Sequence, residues 1–192
     1  MTRVNQASLD EIRGIYARLM TAVSGSADPR LARAFQLVPR EAFMGPGPWR
    51  IGVYRKYFET PDADPAYLYQ NVLVALDADK GINNGEPFLH AIWMGAVAPK
   101  AGDTVCHIGA GTGYYTAILS VLTLPGGTVH AFEIEEGLAE KARDNLRAFD
   151  GVSVTTDDAT KLPLPQSDLI YVNAAPWRRR CRGCSRCVRG VA

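Results

Sequence analysis

The stretch "VCHIGAGTGYY", Val105 to Tyr115, runs from an apolar segment through a glycine turn into a helical pattern. Gly109, Gly111 and Gly113 stand at alternate positions. Glycines set between a strand and a helix let a ligand lie close to backbone at a helix N-terminus. A dinucleotide turn needs G-x-G-x-x-G, but here the third glycine comes one place early and the ring of Tyr114 takes its position. No Gly-Lys-Ser/Thr follows, so a P-loop is excluded.

The G-x-G-x-G spacing suits S-adenosyl-L-methionine when an acidic residue ends the next strand. Glu133 closes "TVHAFE", about 20 residues past Gly113. A carboxylate there can accept both hydroxyls of a ribose, and Ile134 can lie against the adenine face. After the third strand, "TTDDA" brings Asp158, followed by Ala159, to where an adenine amino group would stand. The expected cofactor-binding set is His107, Gly109, Ala110, Gly111, Gly113, Glu133, Ile134, Asp158 and Ala159.

Outward from this turn, strand and helix alternate. "TVCHI", "TVHAFE", "VSVTT" and "DLIYV" read as strands, with helices "YYTAILSVLTL" and "EEGLAEKARDNLRAF" between them. That rhythm predicts a mostly parallel α/β sheet with right-handed crossovers. Upstream, Leu9, Ile12, Ile15, Tyr16 and Leu19 are expected on one buried helical face. Asp28-Pro29 opens a short helix, and "PFLHAIWMGAVAP" forms another that Pro99 closes. Val38 to Asn84 reads as loops, turns and short strands wrapped over a core.

These residues resemble a known family. From about Leu31 to Ala175 the chain is similar to the protein-L-isoaspartate O-methyltransferases, within the wider class of Rossmann-like, AdoMet-dependent methyltransferases. "VPREAF", "PKAGDTVCHIGAGTGYYTAIL" and "DLIYVNAA" carry the likeness. The resemblance implies methyl transfer from S-adenosyl-L-methionine to an isoaspartyl carboxylate of a protein or peptide. It also implies an N-terminal helical and loop extension on the substrate side (1–87) and a partial Rossmann-like cofactor domain (88–175), after which the residues read as an irregular basic, Cys-rich tail (176–192).

Three departures stand out. The family carries Glu or Asp near the cofactor's methionine end where this chain has His107, which is either a weaker grip or a packed core histidine. The family's I-S-x-P segment becomes "INNGEP", with Gly85 in the serine's place. Asn83, Asn84, Gly85 and His90 are therefore the candidate substrate-side residues, though the same types also suit a turn and a helix face. Last, the strand pattern stops after the fourth of the family's seven strands. The acceptor is then isoaspartate or another group, or the chain is a cofactor-binding remnant without turnover.

The 192 residues are 47% hydrophobic and 21% charged, which suits one globular domain. No apolar run approaches the roughly 20 residues of a membrane span. The charged opening "MTRVNQASLDEIR" lacks the apolar core of a signal peptide, so the expected location is cytoplasmic. Cys106 reads as a buried thiol. Residues 178–192 hold six of the 21 basic residues and none of the 20 acidic ones. Cys181, Cys184 and Cys187 offer three thiolates without a fourth ligand nearby, so no metal is expected. Clustered arginine without interleaved aromatics argues against nucleic acid. A frameshifted or truncated end is the preferred account. It would leave "LIYV", Leu169 to Val172, as a bare apolar edge that promotes instability or self-association.

Overall fold

The computed structural model describes residues 8–53, 56–174 and 186–189. Helix α1 (Leu9–Ser24) starts at a capping box in which the Ser8 hydroxyl accepts from the Glu11 N–H and the Glu11 carboxylate accepts from the Ser8 N–H. Helix α2 (Pro29–Leu37) starts at Asp28, whose side chain accepts from the Arg30 N–H, with proline at the first helical position. Tyr16, Ala17 and Met20 of α1 are buried, but Ile15 and Leu19 are 49% and 47% exposed. The expected apolar face is therefore rotated. Tyr16, Ala17 and Met20 join the main core, and Leu9 and Ile12 pack partly buried against it.

Within Val38 to Asn84, expected as loops, turns and short strands, four strands form an antiparallel sheet. Its order is β2 (Lys56–Glu59), β1 (Arg50–Val53), β3 (Leu73–Asp77), β4 (Ile82–Asn83). The completely buried Arg40 ties this layer together. Its guanidinium donates to the carbonyls of Leu68, Gln70 (3.1 Å) and Val72 (2.7 Å), a fork that one lysine ammonium could not reproduce.

Helix α3 (Pro87–Val97) leads to the second sheet, which is parallel throughout. Its order is β7 (Val152–Thr156), β6 (Thr128–Glu133), β5 (Thr104–Ile108), β8 (Leu169–Val172), β9 (Arg186–Arg189). Helices α4 (Tyr114–Thr123) and α5 (Glu136–Asn145) make the crossovers. The first four strands agree with the sequence reading. Side chains alternate along them as a pleated strand requires. Val105, Val129, Leu169 and Tyr171 face the main core, while Cys106, Ile108, Phe132, Ile170 and Val172 pack on the other side with Ala159, Leu162 and Leu164.

The fifth strand is a correction. β9 pairs with β8 in parallel, Leu169 opposite Arg186 through Val172 opposite Arg189, so the fourth strand is not the bare edge expected of it. The self-association inferred from that edge loses its basis. A wholly buried "LIYV" needs partners for its backbone groups on both sides, and Arg186–Arg189 supplies one set. The remainder of the tail, with Cys181 and Cys184, lies outside the described residues. Among the described residues no helix is long and apolar enough to cross a membrane, and no group of three or more His, Cys, Asp or Glu side chains could hold a metal.

Candidate functional site

The carboxyl ends of β5, β6 and β7 open into a cavity of about 630 Å3, within the usual range for a small-molecule site. The β3–β4 hairpin and the start of α3 form its opposite wall. The glycine turn is its floor. Gly109, Gly111 and Gly113 all have positive φ (78°, 57° and 96°), and Gly113 is the N-cap of α4. A Cβ on Gly109 would stand 2.6 Å from the Asn173 carbonyl oxygen, and one on Gly113 would meet the Leu146 side chain at 2.7 Å. Neighbouring backbone and the side chain at the C-cap of α5 therefore already require glycine at 109 and 113, and Gly113 itself does not line the cavity. Tyr114, the ring that argues against a dinucleotide, turns into the core and packs edge-on to Phe43 at 5.7 Å.

Glu133 ends β6 on the cavity wall, 6% exposed. One carboxylate oxygen accepts from the Gly111 N–H at 2.7 Å; the other accepts from the N–H groups of Ile134 and Glu135 at 2.9 and 3.0 Å. It therefore shapes the turn. With about four lone-pair positions, it can take both hydroxyls of a ribose only by releasing at least one of these backbone bonds. Ile134 is 63% exposed at the cavity, an apolar surface ready for a flat ring. Asp158 lines the cavity and accepts from the Thr160 hydroxyl and N–H, with Lys161 at 3.2 Å; these contacts hold its carboxyl below the usual range. Ala159 and Ala110 are buried beside them.

His107 is placed elsewhere. It is fully buried and outside the cavity wall, with Nδ1 2.8 Å from the Thr116 hydroxyl. Burial alone pushes its pKa down to about 3, so the ring is neutral at any physiological pH. Of the two readings open in the sequence, the structure favours the packed histidine.

The four residues expected on the substrate side, Asn83, Asn84, Gly85 and His90, all line the cavity. Asn83 accepts from the Gly85 N–H at 2.9 Å, and Asn84 accepts from the Val74 N–H at 2.8 Å, pinning the loop to β3. His90 lies on the cavity wall, 1% exposed, stacked flat on Tyr115 with ring centroids 3.5 Å apart. Its Nδ1 is 2.7 Å from the Tyr171 hydroxyl. Burial, with the fields of His107 and Arg40, drives its pKa well below the ordinary value.

Sequence reasoning missed Tyr115 and Tyr171 as supports of His90, and the hairpin residues Leu76 and Lys80 as cavity wall. The run "LVALDADKGIN" did carry a signal, a polar turn with glycine between two apolar segments.

Comparison with known proteins bears on the family and the fold. Residues 20–176 match the family model described as Protein-L-isoaspartate(D-aspartate) O-methyltransferase (PCMT). The protein-L-isoaspartate O-methyltransferase of Ignicoccus hospitalis is 32% identical over 152 residues, 77% of this chain and 64% of that one. Its counterpart from a Roseiflexus species is 30% identical over 158 residues, 80% of this chain and 63% of that one. The chain thus spans somewhat under two thirds of the length of these relatives. A solved protein-L-isoaspartate O-methyltransferase superposes with a TM-score of 0.65 at 23% identity, covering 83% of this chain and 47% of its own. A Plasmodium falciparum PCMT structure in complex with S-adenosyl-L-homocysteine gives 0.62 at 15% identity, over 84% and 73%. Both show the common fold. The chain belongs to the protein-L-isoaspartate(D-aspartate) O-methyltransferase family.

Proposed function

We propose that this chain binds S-adenosyl-L-methionine between the glycine turn and the β3–β4 hairpin and methylates the carboxylate of an isoaspartyl residue in a protein or peptide. The observation that carries the reading is the convergence of Glu133, Ile134 and Asp158 beside Gly109–Gly113 at the carboxyl ends of three adjacent parallel strands. When bound, the cofactor supplies a methyl group on a sulfonium, which leaves as a neutral thioether as a carboxylate oxygen takes the methyl.

The residues of the chain have limited work to do. Glu133 orients the ribose, Ile134 covers the adenine, and Asp158 accepts from its amino group. A carboxylate acceptor is already ionised at neutral pH, so no general base is required. Alignment and exclusion of water supply the acceleration. Residues 88–175 form the cofactor side, and residues 1–87 complete the acceptor side.

Transfer of tritiated methyl to an isoaspartyl peptide, with the aspartyl isomer as control, tests this reading. Base-labile label in the isoaspartyl peptide alone is the expected result. Equal labelling of both peptides, or of neither by a chain shown in a separate titration to bind S-adenosyl-L-homocysteine, would overturn the acceptor assignment.

A further inference from the structure

Gly85 and His90 are coupled. Gly85 has φ of +78°, and a Cβ built on it would stand 2.2 Å from His90 Nε2. In this arrangement a serine at 85 is excluded by both backbone and contact. The imidazole edge occupies the space into which a side chain at residue 85 would project.

The tautomer of His90 follows from its neighbour. Tyr171 is wholly buried, and the described residues give its hydroxyl a single partner, His90 Nδ1 at 2.7 Å. A buried phenol proton without an acceptor would be costly, so Tyr171 donates to Nδ1. The ring proton then sits on Nε2. That nitrogen has no hydrogen-bond partner among the described residues, and the residue that carries it is 1% exposed on the cavity wall. Stacking on Tyr115 and the edge of Trp93, 5.4 Å away, fix the ring plane.

We propose that His90, held by Tyr171 and Tyr115, is the donor that positions the acceptor carboxylate, through Nε2–H, beside Gly85 where the resembling segment has a serine. This rests on the reading of the site as a carboxylate methyltransferase. A neutral donor orients one carboxylate oxygen without protonating it and leaves its charge available to attack. Burial keeps the ring neutral, which also avoids placing a second cation beside a sulfonium. His90 is a positioning residue, so its loss raises the Kd and KM for the peptide more than it lowers kcat.

The test uses the full chain saturated with S-adenosyl-L-homocysteine and a short isoaspartyl peptide. Ring 15N spectra should show His90 as the Nε2–H tautomer, with that proton moving downfield when the peptide is added. His90→Phe, which keeps the stack and lacks the donor, should weaken peptide binding about three- to tenfold, the range for one neutral hydrogen bond. Homocysteine-cofactor affinity should stay within about twofold. His90→Gln, which retains an N–H at similar reach, should recover much of the loss. If His90→Phe fails to fold, Tyr171→Phe takes its place, and it should release the tautomer preference and weaken peptide binding. An Nδ1–H tautomer indifferent to peptide, or equal peptide affinity in wild type and His90→Phe, overturns the role of His90 alone. Wild type that binds S-adenosyl-L-homocysteine but no isoaspartyl peptide overturns this role together with the acceptor assignment. Wild type that binds no S-adenosyl-L-homocysteine overturns the cofactor reading itself.

Discussion

Lys80, at the turn of the β3–β4 hairpin, and Glu135, at the N-cap of α5, form an ion pair at the cavity. The pair ties the antiparallel sheet to the parallel one on the side where Ile134 lies. Glu135 also holds the Lys80 ammonium above its ordinary pKa. Both side chains are substantially exposed, so the contact is weak and screened by salt. Lys80→Ala is therefore expected to speed release of S-adenosyl-L-homocysteine about two- to threefold at low ionic strength. Stopped-flow displacement would measure it. The difference from wild type should vanish near 0.5 M salt, at roughly half the Debye length of physiological buffer. An effect that persists there would mean that the hairpin itself has moved.

Glu133 combines two duties, which leads to a second expectation. Glu133→Ala removes a proposed ribose acceptor and also strands the N–H groups of Gly111, Ile134 and Glu135. Affinity for S-adenosyl-L-homocysteine should fall at least tenfold by calorimetry, and stability should drop by about 1–3 kcal/mol in urea titration. Glu133→Gln keeps an acceptor oxygen and should recover more of the stability than of the affinity. Tight binding of NAD in preference to the homocysteine cofactor would remove the basis of the site.

Much of this site was legible because its chemistry is local in sequence. Gly109 to Gly113 follow a strand directly, Glu133 ends a short and largely buried strand, and Asp158 stands two residues past the half-buried β7. What escaped is non-local. The place of His90 depends on Tyr115 and Tyr171, which lie 25 and 81 residues away and reach it through separate elements. The fold divides in the same way. β5 to β8 are apolar runs punctuated by turns, whereas β1 and β2 show no strict alternation; Lys56–Glu59 is exposed along its whole length. Ile15 and Leu19 carry a helical period that packing overrode, and "RCVR" has too little apolar content to read as a strand at all.

His107 leads to a pH dependence of stability rather than of binding. Its pKa is near 3 in the fold and about 6.5 in the unfolded chain, so the unfolded state takes up the proton first. The neutral ring's contribution is complete above about pH 6.5 and is lost progressively between pH 6.5 and 3. The slope is about 1.4 kcal/mol per pH unit for one such group. His90 is shifted in the same direction and adds to it. His107→Gln should flatten the fall in stability between pH 7 and 5 by roughly one group's share, read as the difference between two urea series. Cofactor affinity should stay level across pH 6.0–8.0. A fall in affinity below pH 6.5 that His107→Gln abolishes would place the ring at the cofactor after all.

β9 covers the outer edge of β8 in the parallel sheet. β8 is buried along all four residues, and one side of its ladder is completed by Arg186–Arg189. A proline within β9 removes one ladder N–H and cannot be accommodated in a paired strand without local disruption. Val188→Pro, opposite Tyr171, should therefore lower stability by about 3 kcal/mol and bare an apolar edge. Because Tyr171 sets the His90 ring, the same change should weaken isoaspartyl peptide binding while leaving the glycine turn, two strands away from β9 at the end of β5, able to hold S-adenosyl-L-homocysteine. Sedimentation velocity would show concentration-dependent association in the variant and less or none in the parent. If Val188→Pro sediments and unfolds as the parent does, β9 contributes nothing to the sheet, and the edge of β8 must be protected by other means.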